Sequence, residues 1–230
     1  MGTYPEMTRL VERHGPDAVV AALRPLLTDE RAARIEQTLD SRLGSVSVAL
    51  ENLHDAHNGA AAIRSIEAFG LTTLHVVETE KRFDFSSKVT IGCEKWIAIR
   101  RHTDVAGCAA ALRERGMTLW ATLPGADATL DTVPVDRPLA LWFGNEHAGL
   151  TPEAVAACDG AVSLPMVGFT QSFNLSVSVA LAVERVAARR RAHLAISGDL
   201  EGQERAFLRA RWYALTVRGA AEIVARAVSK

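Results

Sequence analysis

Short apolar runs alternate with helical patterns along the middle of this chain, and that alternation restricts its fold more than any other feature. Val46, Val48 and Leu50 alternate with Ser47 and Ala49 as a first strand; Leu74–Val77, Trp96–Ile99, Met117–Leu123, Leu139–Phe143 and Ala161–Leu164 read as further strands. Between them lie helical segments: Asn58–Phe69 closed by Gly70, Val105–Arg115 closed by Gly116, and a helix opening at Thr151-Pro152-Glu153 with proline in its first turn. Leu139-Ala140-Leu141-Trp142-Phe143 holds no polar residue at all. Strands apolar on both sides and separated by helices give a parallel-rich sheet covered on both faces, an α/β fold. The chain ends are helical instead. A helix is predicted over Asp17–Leu23, and another opens at Thr28-Asp29-Glu30, a hydroxyl cap with two acids behind it, and runs to Leu43. A long helix follows Leu175 to about Arg191, and two more cover Gln203–Val217 and Ala220–Val228.

Chemistry concentrates in Ser163–Ser178, where a short strand enters a loop holding Pro165, Gly168, Gln171, Ser172 and Asn174 before a helix rich in small residues. Such an elbow sets backbone N–H groups, a hydroxyl and a carboxamide at the lip of a sheet, where α/β proteins bind ligands. Two earlier segments look like its partners: His57-Asn58-Gly59-Ala60-Ala61-Ala62-Ile63-Arg64 and Leu139–Leu150, the latter with Gly144-Asn145-Glu146 after its strand. Read singly, each has a plain structural role. Asn58 serves as a helix cap, Glu146 neutralises a helix N-terminus, Ser172 and Asn174 satisfy a loop, and Gly144 and Gly168 make turns.

Taken together and in this order, the three segments resemble the three motifs of the SpoU/TrmH group of SPOUT RNA 2′-O-ribose methyltransferases. The first motif pairs Asn58 with Arg64, the second is Gly144-Asn145-Glu146, and the third runs from Pro165-Met166 to Ser176. The resemblance implies a SPOUT-type domain over 45–192 with a deep C-terminal trefoil knot at about 120–190, flanked by helical extensions over 1–44 and 193–230. It implies S-adenosyl-L-methionine as cofactor, held by Thr122, Leu123, Phe143, Gly144, Asn145, Glu146, Met166, Val167, Ser172, Phe173, Asn174 and Leu175. It gives catalytic parts to Arg64, Asn58, Glu146, Ser172 and Asn174. Arg64 steers the hydroxyl or clamps a phosphate, Glu146 orients Arg64 or the substrate, and Asn58 holds Arg64 or the third-motif loop. It also implies a homodimer through the knot region. Within the group, enzymes acting on guanosine 18 of the tRNA D-loop share this layout of one helix before the first strand and two after the knot. Gly59-Ala60-Ala61 departs from the group, which carries a larger residue and then Ser-Ala there. Two other readings stand beside tRNA: a ribosomal-RNA 2′-O-methyltransferase, and a non-catalytic RNA-binding protein of the same fold.

Net charge is −1 over 230 residues, so no overall basic field advertises nucleic acid. From Arg185 to Lys230, however, ten Arg or Lys face four acids, a local +6 that leaves −7 for the rest. Arg189, Arg190, Arg205, Arg209 and Arg211, with Arg64, are the candidate RNA-binding residues; a solvated helix face is the bland alternative. Cys93, Cys108 and Cys158 are scattered, with neither CxxC nor Cys/His ligand spacing, which argues for free thiols and no metal site. No apolar run approaches a membrane span and no signal-peptide core opens the chain, so a cytoplasmic protein is expected. Neither a GxGxxG nor a GxSxG turn is present, which removes the common dinucleotide and hydrolase signatures.

Overall fold

The computed structural model describes residues 4–79, 83, 90 and 92–229, and the chain divides into two compact units. The first, Leu43–Ile196, holds seven strands: β1 (Val46–Glu51), β2 (Thr73–Val77), β3 (Ala98–His102), β4 (Thr118–Thr122), β5 (Ala128–Thr129), β6 (Leu139–Phe143) and β7 (Gly160–Ser163). They form one sheet in the order β3-β2-β1-β6-β4-β7-β5, and every pairing is parallel. All residues of β1, β2 and β6 are buried, which is why those runs carry apolar side chains at consecutive positions. In β6, Leu139, Leu141 and Phe143 enter one core, while Ala140 and Trp142 enter the other.

Helices α4 (Ala56–Ala68) and α7 (Leu175–Leu194) cover the first of these faces and pack on each other. On α7, Leu175, Val179, Ala182, Val183, Val186 and Ala187 recur at the spacing of one helix face. Helices α5 (Val105–Glu114) and α6 (Pro152–Ala157) cover the other face. The caps read from sequence are present: Thr151 Oγ1 accepts from Ala154 N at 3.1 Å, and Gly70 takes a φ of 86° after α4. The chain crosses from β6 past β4 to β7, then returns through α7 to β1 and β6. That path is consistent with the knot the resemblance implies.

The second unit joins Gly2–Arg42 to Ser197–Lys230. It contains α1 (Pro5–His14), α2 (Pro16–Leu23), α3 (Asp29–Asp40), α8 (Gly202–Thr216) and α9 (Ala220–Val228). Helix α8 packs against α1, α2 and α3, and buries Leu208, Trp212 and Tyr213. Thr28 caps α3 as read from sequence, accepting from Arg31 N. The Arg42 guanidinium lies over the Trp212 ring, 5.1 Å from its centroid.

Three elements differ from the sequence reading. The strand expected at Trp96–Ile99 begins at Ala98 and extends through Arg100, Arg101 and His102. It lies at the sheet edge, where one flank meets water and polar side chains are tolerated. Cys93–Trp96 forms a 3-10 turn instead. Helix α1 was not read, although Pro5 at its start, Glu6 in the first turn, His14 in the last and Gly15 beyond are the marks of one.

Candidate functional site

The cavity, about 1040 Å³, opens at the carboxyl ends of β1, β4, β6 and β7, the position at which parallel sheets offer ligand sites. Its wall has four parts: His54-Asp55-Ala56 and Asn58 after β1, Thr122-Leu123-Pro124 after β4, Phe143–Leu150 after β6, and Leu164, Met166, Ser172–Leu175 and Ser178 after β7. Of the residues proposed for the cofactor, all but Val167 line it. Val167 projects fully into solvent with Phe169, at relative exposures of 105% and 108%. The loop that carries Met166 inward turns these two outward.

One hydrogen-bonded chain links the three motif segments. Asn58 Nδ2 donates to Glu146 Oε1 at 2.7 Å, and Asn174 Nδ2 donates to Asn58 Oδ1 at 2.9 Å. Asn174 Oδ1 in turn accepts from the Ser176 N–H and hydroxyl, at 2.9 and 2.7 Å, and so caps α7. Asn58 is not a cap. Asp55 takes that place by accepting from His57 N, and Asn58 lies within the first turn of α4, where its carboxamide is spent on long-range contacts. Of the two partners the resemblance offered Asn58, the structure brings it the third-motif loop rather than Arg64. Glu146 Oε2 is buried without a hydrogen-bond partner at the cavity wall. A carboxylate oxygen in that state is an acceptor waiting for a donor.

The second-motif loop folds on itself. Asn145 and Gly149 exchange backbone hydrogen bonds of 3.2 and 3.1 Å, and Asn145 Oδ1 accepts from His147 N and Ala148 N. A Cβ on Gly144 would lie 1.9 Å from the Gly149 carbonyl carbon. This position is therefore glycine because of its own loop, which fixes the wall shape. A Cβ on Gly168 would meet nothing within 4 Å, so no close approach of the protein demands glycine there.

Glu51 was missed by sequence reasoning. It is 1% exposed at the end of β1 and accepts from Thr151 N at 3.0 Å and Thr151 Oγ1 at 2.7 Å, pinning the far end of the loop. An acid closing an otherwise apolar strand was its only signal. Thr122 lines the cavity, but its hydroxyl donates to the Trp142 carbonyl at 2.8 Å. Ser172 lines the cavity and makes no hydrogen bond to a described residue. Arg64 is exposed on α4, outside the cavity wall, with no hydrogen bond or ion pair among the described residues. His54 and His147 face each other at the mouth, ring centroids 6.1 Å apart.

The candidate RNA-binding arginines other than Arg64 are engaged within the protein. Arg190, 6% exposed, donates to Ser45 Oγ at 3.0 Å and to the Val135 carbonyl at 2.7 Å. Arg189 Nη1 donates to the carbonyls of Leu130 and Val133, both at 2.8 Å. In the helical unit, Arg209 forks onto Glu36 at 2.6 and 2.7 Å, and this bond raises its pKa. Arg205 bridges Glu36 and Asp40 at 3.1 and 2.7 Å. Arg211 is 3% exposed, and burial lowers its pKa. Arg190 and Arg211 thus lie in the interior, contrary to the reading of a phosphate-tracking face, because buried carbonyls and packing in their own units claim them.

The model of the SpoU rRNA Methylase family matches residues 45–184. The tRNA (guanosine(18)-2′-O)-methyltransferase of Borreliella burgdorferi is 32% identical over 200 residues, covering 86% of this chain and 91% of that protein. The crystal structure of the A. aeolicus TrmH/SpoU tRNA modifying enzyme superposes with a TM-score of 0.72 at 25% identity, over 83% of this chain and 98% of that one. The crystal structure of an AdoMet-bound rRNA methyltransferase from Sinorhizobium meliloti superposes with a TM-score of 0.58 at 25% identity, over 68% and 60%.

Proposed function

This chain belongs to the SpoU methylase family, and on that premise we propose that it methylates a ribose 2′-hydroxyl of tRNA, at guanosine 18 of the D-loop, with S-adenosylmethionine as donor. The observation that carries the reading is the Glu146–Asn58–Asn174 chain, which ties three segments distant in sequence around one cavity. The residues fit the cofactor. Leu123, Phe143, Leu150, Met166 and Leu175 offer an apolar wall for a purine, the closed 144–150 loop presents backbone groups, and Glu146 Oε2 is an unfilled acceptor. Bound there, S-adenosylmethionine supplies an electrophilic methyl group on a sulfonium.

The chain's own part is to bring a hydroxyl into line and to assist loss of its proton. Arg64 stays protonated and cannot itself be a plain base. Its guanidinium, uncommitted among the described residues, suits a phosphate or the hydroxyl oxygen of an incoming ribose. Asn58 and Asn174 hold the first and third segments together and so fix where Arg64 and Ser172 stand. Arg205 and Arg209, partly exposed, remain candidates for phosphate contact in the helical unit.

tRNA is favoured over ribosomal RNA because the likeness to the tRNA enzyme covers 200 residues and 91% of that protein, whereas a 23S rRNA (guanosine-2′-O-)-methyltransferase of Nitrosomonas europaea, also 32% identical, is matched over 180 residues and 66% of its length. The rRNA reading is supported by the Sinorhizobium neighbour. A homodimer is proposed from an apolar stripe: Phe173, Val177 and Leu181, four residues apart and 41–45% exposed, beside the fully exposed Val167 and Phe169. Among the described residues no helix is long and apolar enough to cross a membrane, in keeping with the cytoplasmic site proposed for a tRNA enzyme.

The test is transfer of labelled methyl to unmodified tRNA and, separately, to ribosomal RNA transcripts. Label in tRNA is expected, lost in Arg64→Ala while cofactor affinity is retained. Label in ribosomal RNA alone moves the substrate, and parallel loss of cofactor binding in Arg64→Ala refutes the assigned role.

A further inference from the structure

On the sheet face covered by α5 and α6, two histidines and a cysteine meet. His75 lies in β2, His102 at the end of β3 and Cys108 in the first turns of α5. Val77 is registered opposite His102, so His75 is its diagonal neighbour on the same face. One ligand atom from each of the three lies within 4.8 Å of the others. His75 and Cys108 are 1% and 0% exposed, whereas His102 is half-buried and gives a route from solvent.

His75 Nδ1 and His102 Nε2 are 2.9 Å apart and share one proton, but His75 Nε2 is buried with no partner.

We propose that His75, His102 and Cys108 form a binding site for one zinc ion. Two imidazoles and a thiol, without carboxylate or carbonyl oxygen in the set, suit a borderline-soft cation and not magnesium or calcium. Three protein ligands leave a fourth position for water. To seat an ion, the facing nitrogens must part from 2.9 Å to about 3.3 Å, the separation of two ligands in tetrahedral geometry with bonds near 2.0–2.1 Å, and the two nearly parallel rings must turn their lone pairs toward it. Binding forms two Zn–N bonds and one Zn–S bond. The Cys108 proton leaves to solvent, and the proton shared by the rings moves to the far nitrogen of the ring that carried it, so one proton is released per ion. None of the three ligands lines the cavity, so the ion ties β2, β3 and α5 together outside the transfer chemistry.

The untagged full chain, stripped with a chelator, is titrated with Co²⁺ and then with Zn²⁺. Expected are one equivalent bound, a thiolate-to-cobalt charge-transfer band, displacement of cobalt by stoichiometric zinc, and a thermal midpoint raised by zinc. His102→Gln and Cys108→Ser each weaken binding on the order of a hundredfold or more, and Cys108→Ser also removes the band. Cys158→Ser changes neither. Far-ultraviolet circular dichroism verifies folding, and the partly exposed His102 makes His102→Gln the deciding variant if Cys108→Ser misfolds. Absence of saturable binding, or binding unchanged in His102→Gln, overturns the site.

Discussion

At the residue scale, Gly144 shows how a wall of the cavity is held. A methyl group there would lie 1.9 Å from the backbone of Gly149, so Gly144→Ala must push apart the two ends of the 144–150 loop. The expected cost is about 2–4 kcal/mol in stability, with cofactor affinity reduced on the order of tenfold or more. Calorimetric titration and thermal unfolding check both, and unchanged values would mean the loop is not what shapes the site. Cys93 gives a pH dependence. Burial, then Glu67 and Glu94, push its thiol up to about 11. A raised thiol pKa favours the neutral form, so the reactive thiolate appears only as pH climbs towards that value. At pH 8, iodoacetamide should label Cys93 in the native chain on the order of a hundredfold more slowly than in the unfolded chain. The native rate should climb about tenfold per pH unit, followed at the Cys93 peptide by mass spectrometry. Equal native and unfolded rates would contradict the burial.

At the element scale, the C-terminal turns of α7 show where sequence reading stopped. Arg189-Arg190-Arg191 reads as part of a phosphate-tracking surface, with a solvated helix face as the alternative. In the structure Arg189, Arg190 and Arg191 donate to the carbonyls of Leu130, Val133, Val135 and Phe69. Those carbonyls lie outside regular pairing and need donors, a demand that appears only once the chain has folded. Arg190→Met would leave the Val135 carbonyl and Ser45 without this donor, at an expected cost of about 2–4 kcal/mol. Arg209→Ala breaks a partly exposed fork onto Glu36 and should cost about 1 kcal/mol or less. Urea unfolding distinguishes the two, and the opposite ranking would refute the placement. Strands β1, β2 and β6 were legible because burial on both faces fills most of their positions with apolar residues, the exceptions being Ser47, Glu51, Thr73 and His75. The end of β3 was not, because an edge strand admits Arg100, Arg101 and His102 and so extends past the apolar run.

At the scale of the whole molecule, the site was legible as three motifs but not as a mechanism of assembly. That Asn58, Glu146 and Asn174 join by direct hydrogen bonds, and that Glu51 anchors Thr151 one hundred residues away, are consequences of the parallel strand order. The His75–His102–Cys108 convergence is hidden for the same reason, since sequence spacing shows only ligands on one element or loop. The proposed dimer belongs to this scale as well. Leu181→Glu sets a charge in the exposed apolar stripe, so sedimentation should show a dimer for the native chain and a monomer for the variant. A monomeric native chain would remove the interface. The most direct measurement is nucleotide-resolution mass spectrometry of tRNA after reaction with the enzyme and S-adenosylmethionine. The expected result is a methyl group on the ribose of guanosine 18; a methyl on a base, or no ribose methylation in tRNA under conditions where the cofactor binds, would contradict the proposed function.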